Sequence, residues 1–228
     1  LVGSEMCIRD RLYGSETASA VNSRGIYKGM NSQHNYGNHD LTSYDTSAVG
    51  WGATASSAWY EVIKRDFLAG EYVWTGFDYI GEPTPYGWPA RSSFFGIVDL
   101  AGFPKDVYYL YQSEWTDKQV LHLFPHWNWK VGEPVDIWAY YNNADEVELY
   151  LNGKSLGVQQ KTDSTYHVSW RVPFTPGTLR AVSRLGGKEV LVKEIHTAGE
   201  PARLVLTPDR SVIQADGSDL SFVTVDVC

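Results

Sequence analysis

The chain has 228 residues, 43% of them hydrophobic and 20% charged, and a formal net charge of −8. That length can bury one large core or two modest ones. The acidic balance, with no long basic run, gives no support for binding a nucleic-acid backbone, and no apolar stretch is long enough to span a bilayer. Nothing resembles a signal peptide, and no compartment is assigned. Cys7 and Cys228 stand at the two extremes and indicate neither a disulfide scaffold nor a metal site. The nine tryptophans and fifteen tyrosines suit stacking on the apolar faces of sugar rings, and they suit ordinary core packing as well.

In chain order, residues 1–11 are expected to be a non-native lead-in. Residues 12–117 mix helix with buried strand. Gly14-Ser15-Glu16-Thr17-Ala18-Ser19 places a lone carboxylate at the end of a short strand-like piece. Apolar residues at Ala55, Ala58, Trp59, Val62, Ile63 and Phe67 predict a helix over Thr54–Ala69. Thr54 or Ser56 would cap it, Glu61 and Arg65 would pair at i,i+4, and Gly70 would stop it. Tyr72–Ile80, rich in aromatic and β-branched residues and halted by Gly81, Pro83 and Pro85, reads as a fully buried strand. Pro104 and Asp106 then suit a first helical turn, with Val107, Tyr108, Leu110 and Tyr111 as the buried side. Strand end, long loop, helix, strand, long loop, helix is the order found at the tail of a (β/α)₈ barrel.

Residues 118–199 read as strand and turn throughout: Val120–Phe124, Val135–Tyr141, Glu146–Leu151, Tyr166–Val172, Thr178–Leu185 and Lys188–Ile195. Val147, Leu149 and Leu151 alternate with Glu146, Glu148 and Tyr150, so one face is buried. Asn152-Gly153 and Gly186-Gly187 are strong hairpin turns. The expected fold is an immunoglobulin-like β-sandwich. Residues 200–228 repeat the pattern after Gly199-Glu200-Pro201, with strands at Arg203–Thr207 and Ser221–Val227, and are expected to be the truncated start of a further sandwich.

A buried strand delivering Trp74, Asp78 and Glu82 toward its carboxyl end is how a barrel enzyme builds an active-site wall. With Glu16 beside it, a sugar-cleaving site is the leading reading. Trp74 shares its strand parity with Gly76 and Asp78. Asp78 either binds a sugar hydroxyl or holds a neighbouring side chain, and Glu82 either faces the site mouth or stabilises its loop. The six histidines show no ligand spacing: Pro125 interrupts the run holding His122 and His126, and His34, His39, His167 and His196 are scattered. There is no glycine-rich phosphate loop and no serine nucleophile elbow.

Several segments resemble the β-galactosidase branch of glycoside hydrolase family 2. They are Ser15-Glu16-Thr17-Ala18-Ser19 with Ser23-Arg24-Gly25, Ser43-Tyr44-Asp45, Gly50-Trp51-Gly52, Trp74-Thr75-Gly76 and Gly81-Glu82-Pro83-Thr84-Pro85-Tyr86. The likeness continues through Phe95-Gly96-Ile97-Val98-Asp99, Phe103-Pro104-Lys105-Asp106 and Leu149-Tyr150-Leu151-Asn152-Gly153-Lys154. It covers roughly residues 12 to 228. The resemblance implies a retaining hydrolase of terminal β-galactosides, with Glu16 as nucleophile and Trp74 as the galactose platform; Asp78 and Glu82 are the further substrate-binding candidates that their positions offer. Asn22 and Arg24 are candidates to position Glu16, with a structural role the favoured reading for Arg24. It also implies that the acid/base glutamate follows an asparagine on an earlier barrel strand. This chain is therefore expected to carry half of a catalytic pair and to be inactive alone, its partners being a β-galactoside glycan and the preceding domains of the same polypeptide. No cofactor is assignable; a divalent cation held by loop carboxylates is compatible with the intact enzyme, with no ligands assignable here. Two other readings stand beside this one: a non-catalytic carbohydrate-binding or adhesion sandwich, and a family 2 enzyme acting on β-glucuronides or β-mannosides. The helix–strand–helix block carrying Glu16 and Trp74 has no use in a binding module or adhesin, and this favours the enzyme.

Overall fold

Parallel pairing of strands close in sequence needs a helical crossover, and the first part of the chain is built this way. A computed structural model describes residues 12–27 and 41–228; the lead-in with Glu5, Cys7 and Asp10, together with His34 and His39, lies outside them. β1 (Leu12–Ala18), α1 (Ala55–Ile63) and β2 (Leu68–Trp74) form a strand–helix–strand unit in which β1 and β2 are hydrogen-bonded neighbours running in one direction.

The helix is shorter than its apolar spacing suggests. It ends at Ile63 with Lys64 as its cap, although the Glu61–Arg65 pair forms as expected. The next turn is lost because Leu68 begins the ladder with Leu12, so Gly70 is a strand residue and not a helix stop. Gly70 sits beside a register irregularity with φ +154°, where a bulge favours glycine. At the other end, Thr54 Oγ1 accepts from the Ser57 amide at 3.3 Å. Asp45, which the sequence did not single out for this task, accepts from the Ala55 and Ser56 amides at 2.8 and 2.7 Å. Burial pushes the Asp45 carboxyl up, and the hydrogen bonds from Ser56 and Ala55 pull against it.

The expected strand Tyr72–Ile80 also divides. β2 stops at Trp74, and the chain continues as a loop held to residues 92–98 by isolated bridges. Tyr72, Phe77 and Ile80 are exposed and every residue of β2 is only half-buried or exposed, so the aromatic run is not the fully buried strand its composition suggests. α2 (Asp106–Trp115) follows, with Lys105 at its cap position and Pro104 just outside it. Val107, Leu110 and Tyr111 are buried, and Tyr108 is half-buried.

β3 (Leu121–Phe124), β4 (Pro134–Tyr141), β5 (Glu146–Leu151), β6 (Lys154–Gln159), β7 (Val168–Pro173), β8 (Thr178–Leu185) and β9 (Lys188–His196) make a β-sandwich. One sheet has the order β3-β4-β7 and the other β6-β5-β8-β9. Both expected hairpins form, with Asn152-Gly153 at φ +51° and +80° and Gly186-Gly187 at +56° and +77°. Two successive positive values match the twist of the strands they join. β6 was not expected: it is an edge strand with mostly exposed residues and a central Gly157, and its only sequence signal is the turn that precedes it. Leu123, Ile137 and Ala139 from one sheet and Val147, Leu149, Leu179 and Ala181 from the other fill the space between.

β4 is buried on both faces. Val135, Ile137, Ala139 and Tyr141 point into the sandwich, while Trp138 and Tyr140 join Phe124, Tyr44, Val107, Leu110 and Tyr111 in a second core. The outer face of the three-stranded sheet is thus the floor on which α2 lies. Polar contacts tie the same seam: Tyr27 Oη donates to Asp106 Oδ2 at 2.8 Å, and His122 Nε2 lies 2.6 Å from Asp106 Oδ1.

His167 stacks on Trp138 in this seam, centroids 3.6 Å apart, and burial pushes its pKa down to about 4. A depressed folded value means that the unfolded chain takes up the proton first. The stability it supports is complete above about pH 6.5 and is lost as pH falls toward 4, by up to about 3 kcal/mol. Urea unfolding of the wild type and His167→Phe at pH 7 and pH 4 should show the smaller acid loss in the variant. Equal losses would remove His167 as the cause.

The last 32 residues, Thr197–Cys228, form a separate compact unit. β10 (Leu204–Pro208) and β11 (Val223–Val227) pair antiparallel within it. Asp216 Oδ1 accepts from the Ser218 and Asp219 amides to shape the intervening turn.

Candidate active site

β1 and β2 end together. Ala18 pairs with Trp74 and Thr17 with Val73, but between Gly14 and Thr17 the first strand takes three steps while Glu71 to Val73 takes two. Ser15 and Glu16 therefore sit in a bulge, a device that re-aims a side chain near the rim of a sheet. Glu16 is exposed there, two residues before the level of Trp74. Thr17 Oγ1 fastens the bulge by donating to the Tyr72 carbonyl at 3.2 Å.

Directly after the bulge, Ala18 and Ser19 adopt φ +66° and +57°. Consecutive left-handed residues other than glycine are costly and persist only where the surroundings enforce them. The enforcing contacts come from the residues on either side of the Gly50-Trp51-Gly52 motif: Ala53 N donates to Ala18 O at 2.6 Å and Val49 N to Ser19 O at 3.3 Å. A Cβ on Gly52 would lie 2.6 Å from Ala18 O, so the glycine is required by this close approach.

Trp74 is half-buried, packed against the cluster of Val21, Leu41, Val49, Tyr86 and Phe95. Its indole meets Tyr79 edge-on, with centroids 5.9 Å apart. Tyr79 Oη in turn donates to the Glu82 carboxylate. Burial, then this bond, pushes the Tyr79 hydroxyl up to about 12. Trp74, Tyr79 and Glu82 thus form a connected edge. Tyr79 was not singled out from the sequence, although its position between two candidates was the available signal.

Asp78 is placed differently. Its Oδ1 accepts from the Gly96 amide at 2.8 Å, and its Oδ2 lies 2.8 Å from Nζ of Lys105. Lys105 is buried and also donates to the carbonyls of Asn22 at 2.8 Å and Phe94 at 3.3 Å. Burial pushes Asp78 up and Lys105 down, and the charge of each partner opposes that shift. Of the two roles open to Asp78, holding a neighbouring side chain is the one its contacts display. Lys105 was missed as an organising residue, though a lysine following Phe103-Pro104 at a helix start is visible in the motif. Arg24 Nε pairs with Asp99 Oδ2 at 2.6 Å, with the guanidinium over the Phe103 ring. Burial works against the Asp99 charge, but Arg24 and the Phe103 and Ala101 amides hold its carboxyl below the usual range. Arg24 is therefore bound into the loop system and does not reach Glu16 through any contact among the described residues.

Residues 132–191 match the model of a domain of unknown function, DUF4982. The β-galactosidase BoGH2A of Bacteroides ovatus is 66% identical over 186 residues, which are 82% of this chain and 22% of that protein. A Formosa agariphila protein named as a putative β-glucuronidase is 39% identical over 189 residues, 78% of this chain and 18% of its own length. The crystal structure of a β-glycosidase from Bacteroides vulgatus superposes with a TM-score of 0.81 at 29% identity, covering 94% of this chain and 31% of that one. A glycosyl hydrolase family 2 member from Bacteroides cellulosilyticus gives 0.63 at 33% identity, over 75% of this chain and 25% of its own. The chain belongs to glycoside hydrolase family 2. It spans 22% and 18% of the lengths of the two curated relatives. Among the described residues of this family 2 chain, no three His, Cys, Asp or Glu side chains gather as a metal site, and no helix is long and apolar enough to cross a membrane.

Proposed function

We propose that this chain supplies the last part of the catalytic (β/α)₈ barrel and the following immunoglobulin-like sandwich of a retaining glycosidase that cleaves terminal β-galactosides. The division is residues 12–117 for the barrel part and 118–199 for the sandwich, with 200–228 opening a further sandwich domain. One observation carries the reading: Glu16, in its bulge, and Trp74 lie at the same carboxyl-terminal end of two hydrogen-bonded parallel strands, the end where barrel enzymes do their chemistry.

Retaining hydrolysis uses two carboxyl groups about 5–5.5 Å apart. Glu16 acts as the nucleophile: its carboxylate oxygen bonds to the anomeric carbon as the bond from that carbon to the leaving oxygen breaks. The acid/base of the complete enzyme protonates the leaving oxygen and then takes a proton from the water that releases the sugar. Trp74 offers a flat apolar surface to the ring, and Tyr79 and Glu82 fix its edge. The acid/base belongs to an earlier barrel strand in this reading, so these 228 residues alone are inactive.

Galactoside specificity is supported by the high identity to BoGH2A; the Formosa relative favours a glucuronidase as the second reading. A uronic acid needs a free cation for its carboxylate. In the loops around the site, Lys105 is buried against Asp78, Arg24 is held through Nε by Asp99 with its outer nitrogens open to solvent, and Arg91 lies over Trp88, so Lys105 is closed to a uronate. Assays of the complete polypeptide on nitrophenyl β-galactoside and β-glucuronide test this. At least a tenfold higher kcat/KM on the galactoside, about 1.4 kcal/mol, is expected. The reverse order would transfer the proposal to glucuronides, and activity on no glycoside would end it.

A further inference from the structure

The loop after β2 holds a tryptophan out in solvent on a fixed base. Trp88 is 78% exposed, and the Arg91 guanidinium lies over its ring, 4.7 Å from the centroid. With one face of the indole under Arg91, so large an exposure leaves the other face open. An indole kept in water forgoes the stabilisation that burial of its large apolar surface brings.

The base is built from backbone bonds and a small core. Residues 81–91 form a closed lobe: Gly81 N donates to Arg91 O at 2.9 Å, and Ile80 bridges Ser92. Within it, Tyr86 N donates to Pro83 O at 2.8 Å and Ala90 N to Gly87 O at 3.0 Å. Tyr86 is buried in the cluster with Val21, Leu41, Val49 and Phe95, on which Trp74 and Tyr79 also pack, and Ala90 rests on that cluster too. Trp88 is two residues from each anchor, so its Cα lies within about 8 Å of both. The lobe thus carries Trp88 beside the Trp74–Tyr79–Glu82 edge.

Glu82 and Arg91 stand at the two ends of the lobe, where the Gly81–Arg91 bond brings the chain together. A flat apolar face sharing its lobe with a carboxylate acceptor and a guanidinium donor suits a ring with C–H bonds on its face and hydroxyls at its rim. The two charges offset each other, so the surface suits a neutral ring better than a uronate or an amine.

We propose that Trp88, backed by Arg91, is the platform for the sugar on the leaving-group side of the bond cleaved at Glu16, so that the substrate is a galactoside of a second, neutral sugar. This rests on the hydrolytic reading: Trp74 takes the galactose ring, and Trp88 takes the ring next to it. The lobe is pinned before substrate arrives, so little ordering accompanies binding. A contact with the leaving group selects among galactosides during formation of the glycosyl-enzyme, because that intermediate is the same for all of them.

Kinetics of the complete enzyme test it. β-Galactosyl fluoride has no ring on the leaving side, whereas 1,2-, 1,3- and 1,4-linked β-galactosyl-glucose disaccharides have one. The kcat/KM for the best disaccharide, divided by that for the fluoride, should fall at least tenfold in Trp88→Ala, and Trp88→Phe should recover most of the loss. Both rates come from one preparation, so any loss of folded protein cancels in the ratio. Glucose added during turnover of the fluoride gives a second readout. Its hydroxyl oxygen attacks the anomeric carbon in place of water, its proton passes to the acid/base, and the ester bond to Glu16 breaks. Trp88→Ala should divert less of the galactosyl-enzyme into disaccharide. A ratio unchanged in Trp88→Ala, or a wild type that cleaves the fluoride and no disaccharide, would overturn the platform and leave the hydrolytic reading standing. Failure of the wild type on every galactoside, the fluoride included, would remove both.

Discussion

Glu16→Gln in the complete enzyme should lower kcat at least about 10³-fold, or about 4 kcal/mol of transition-state stabilisation. The amide keeps the shape of the carboxylate but cannot form the glycosyl ester, so KM should change far less than kcat. Two readouts separate loss of a nucleophile from loss of structure. Glu16 is exposed and makes no hydrogen bond or ion pair among the described residues, so the variant should unfold within about 0.5 kcal/mol of the wild type. In Glu16→Ala, added azide should restore turnover and yield a glycosyl azide of inverted configuration, because the small anion attacks from the vacated side. A Gln variant retaining a tenth of the activity, or azide without effect on the Ala variant, would displace Glu16 from its role.

Lys105→Met should destabilise the chain by about 3–5 kcal/mol, the range for removing one partner of a buried ion pair. The side chain is almost wholly inaccessible, and Asp78 is nearly so. Methionine would leave the Asp78 carboxylate buried without its counter-charge and remove the Lys105 donor from the Asn22 carbonyl, while the Phe94 carbonyl keeps the Asn22 amide at 3.0 Å. The double variant Asp78→Leu with Lys105→Met should be less damaging than the sum of the two single changes, since it removes both charges together. Urea unfolding of the four proteins gives the coupling directly. Additive effects would mean that the pair does not act as a unit. Because Lys105 joins the loop after β1 to the loop after β2, the single variant should also raise hydrogen exchange at Asn22 and Phe94.

The legible parts of the sequence were those where one local pattern dominates. Glu146–Leu151 has the expected bounds because its apolar and polar residues alternate up to the Asn152-Gly153 turn, and Thr178–Leu185 because the Gly186-Gly187 turn closes it. Runs without alternation were less readable. Tyr72–Ile80 is mostly aromatic and β-branched without strict alternation, and its pattern does not say that pairing with β1 ends at Trp74 while Phe77 and Ile80 turn outward. Gly70 illustrates a related ambiguity: the same residue suits a helix stop and a strand bulge, and only the partner strand decides. At the site, the motifs pointed to Glu16 and Trp74, and the structure sets them on adjoining strands. Asp78 could not be resolved from sequence because its role depends on Lys105, 27 positions later and beside it only after the loops close. Asp45 as a helix cap was hidden for the same reason, lying ten residues before the amide it serves.

The two-faced β4 has a bearing on how such proteins can be rebuilt. A strand that belongs to two cores makes the sandwich a poor exchange cartridge: a foreign module spliced in near Thr116 would present α2 with side chains never matched to it. Shuffled chimeras should tolerate junctions after His196, where one compact unit gives way to the next, far better than junctions ahead of Leu121.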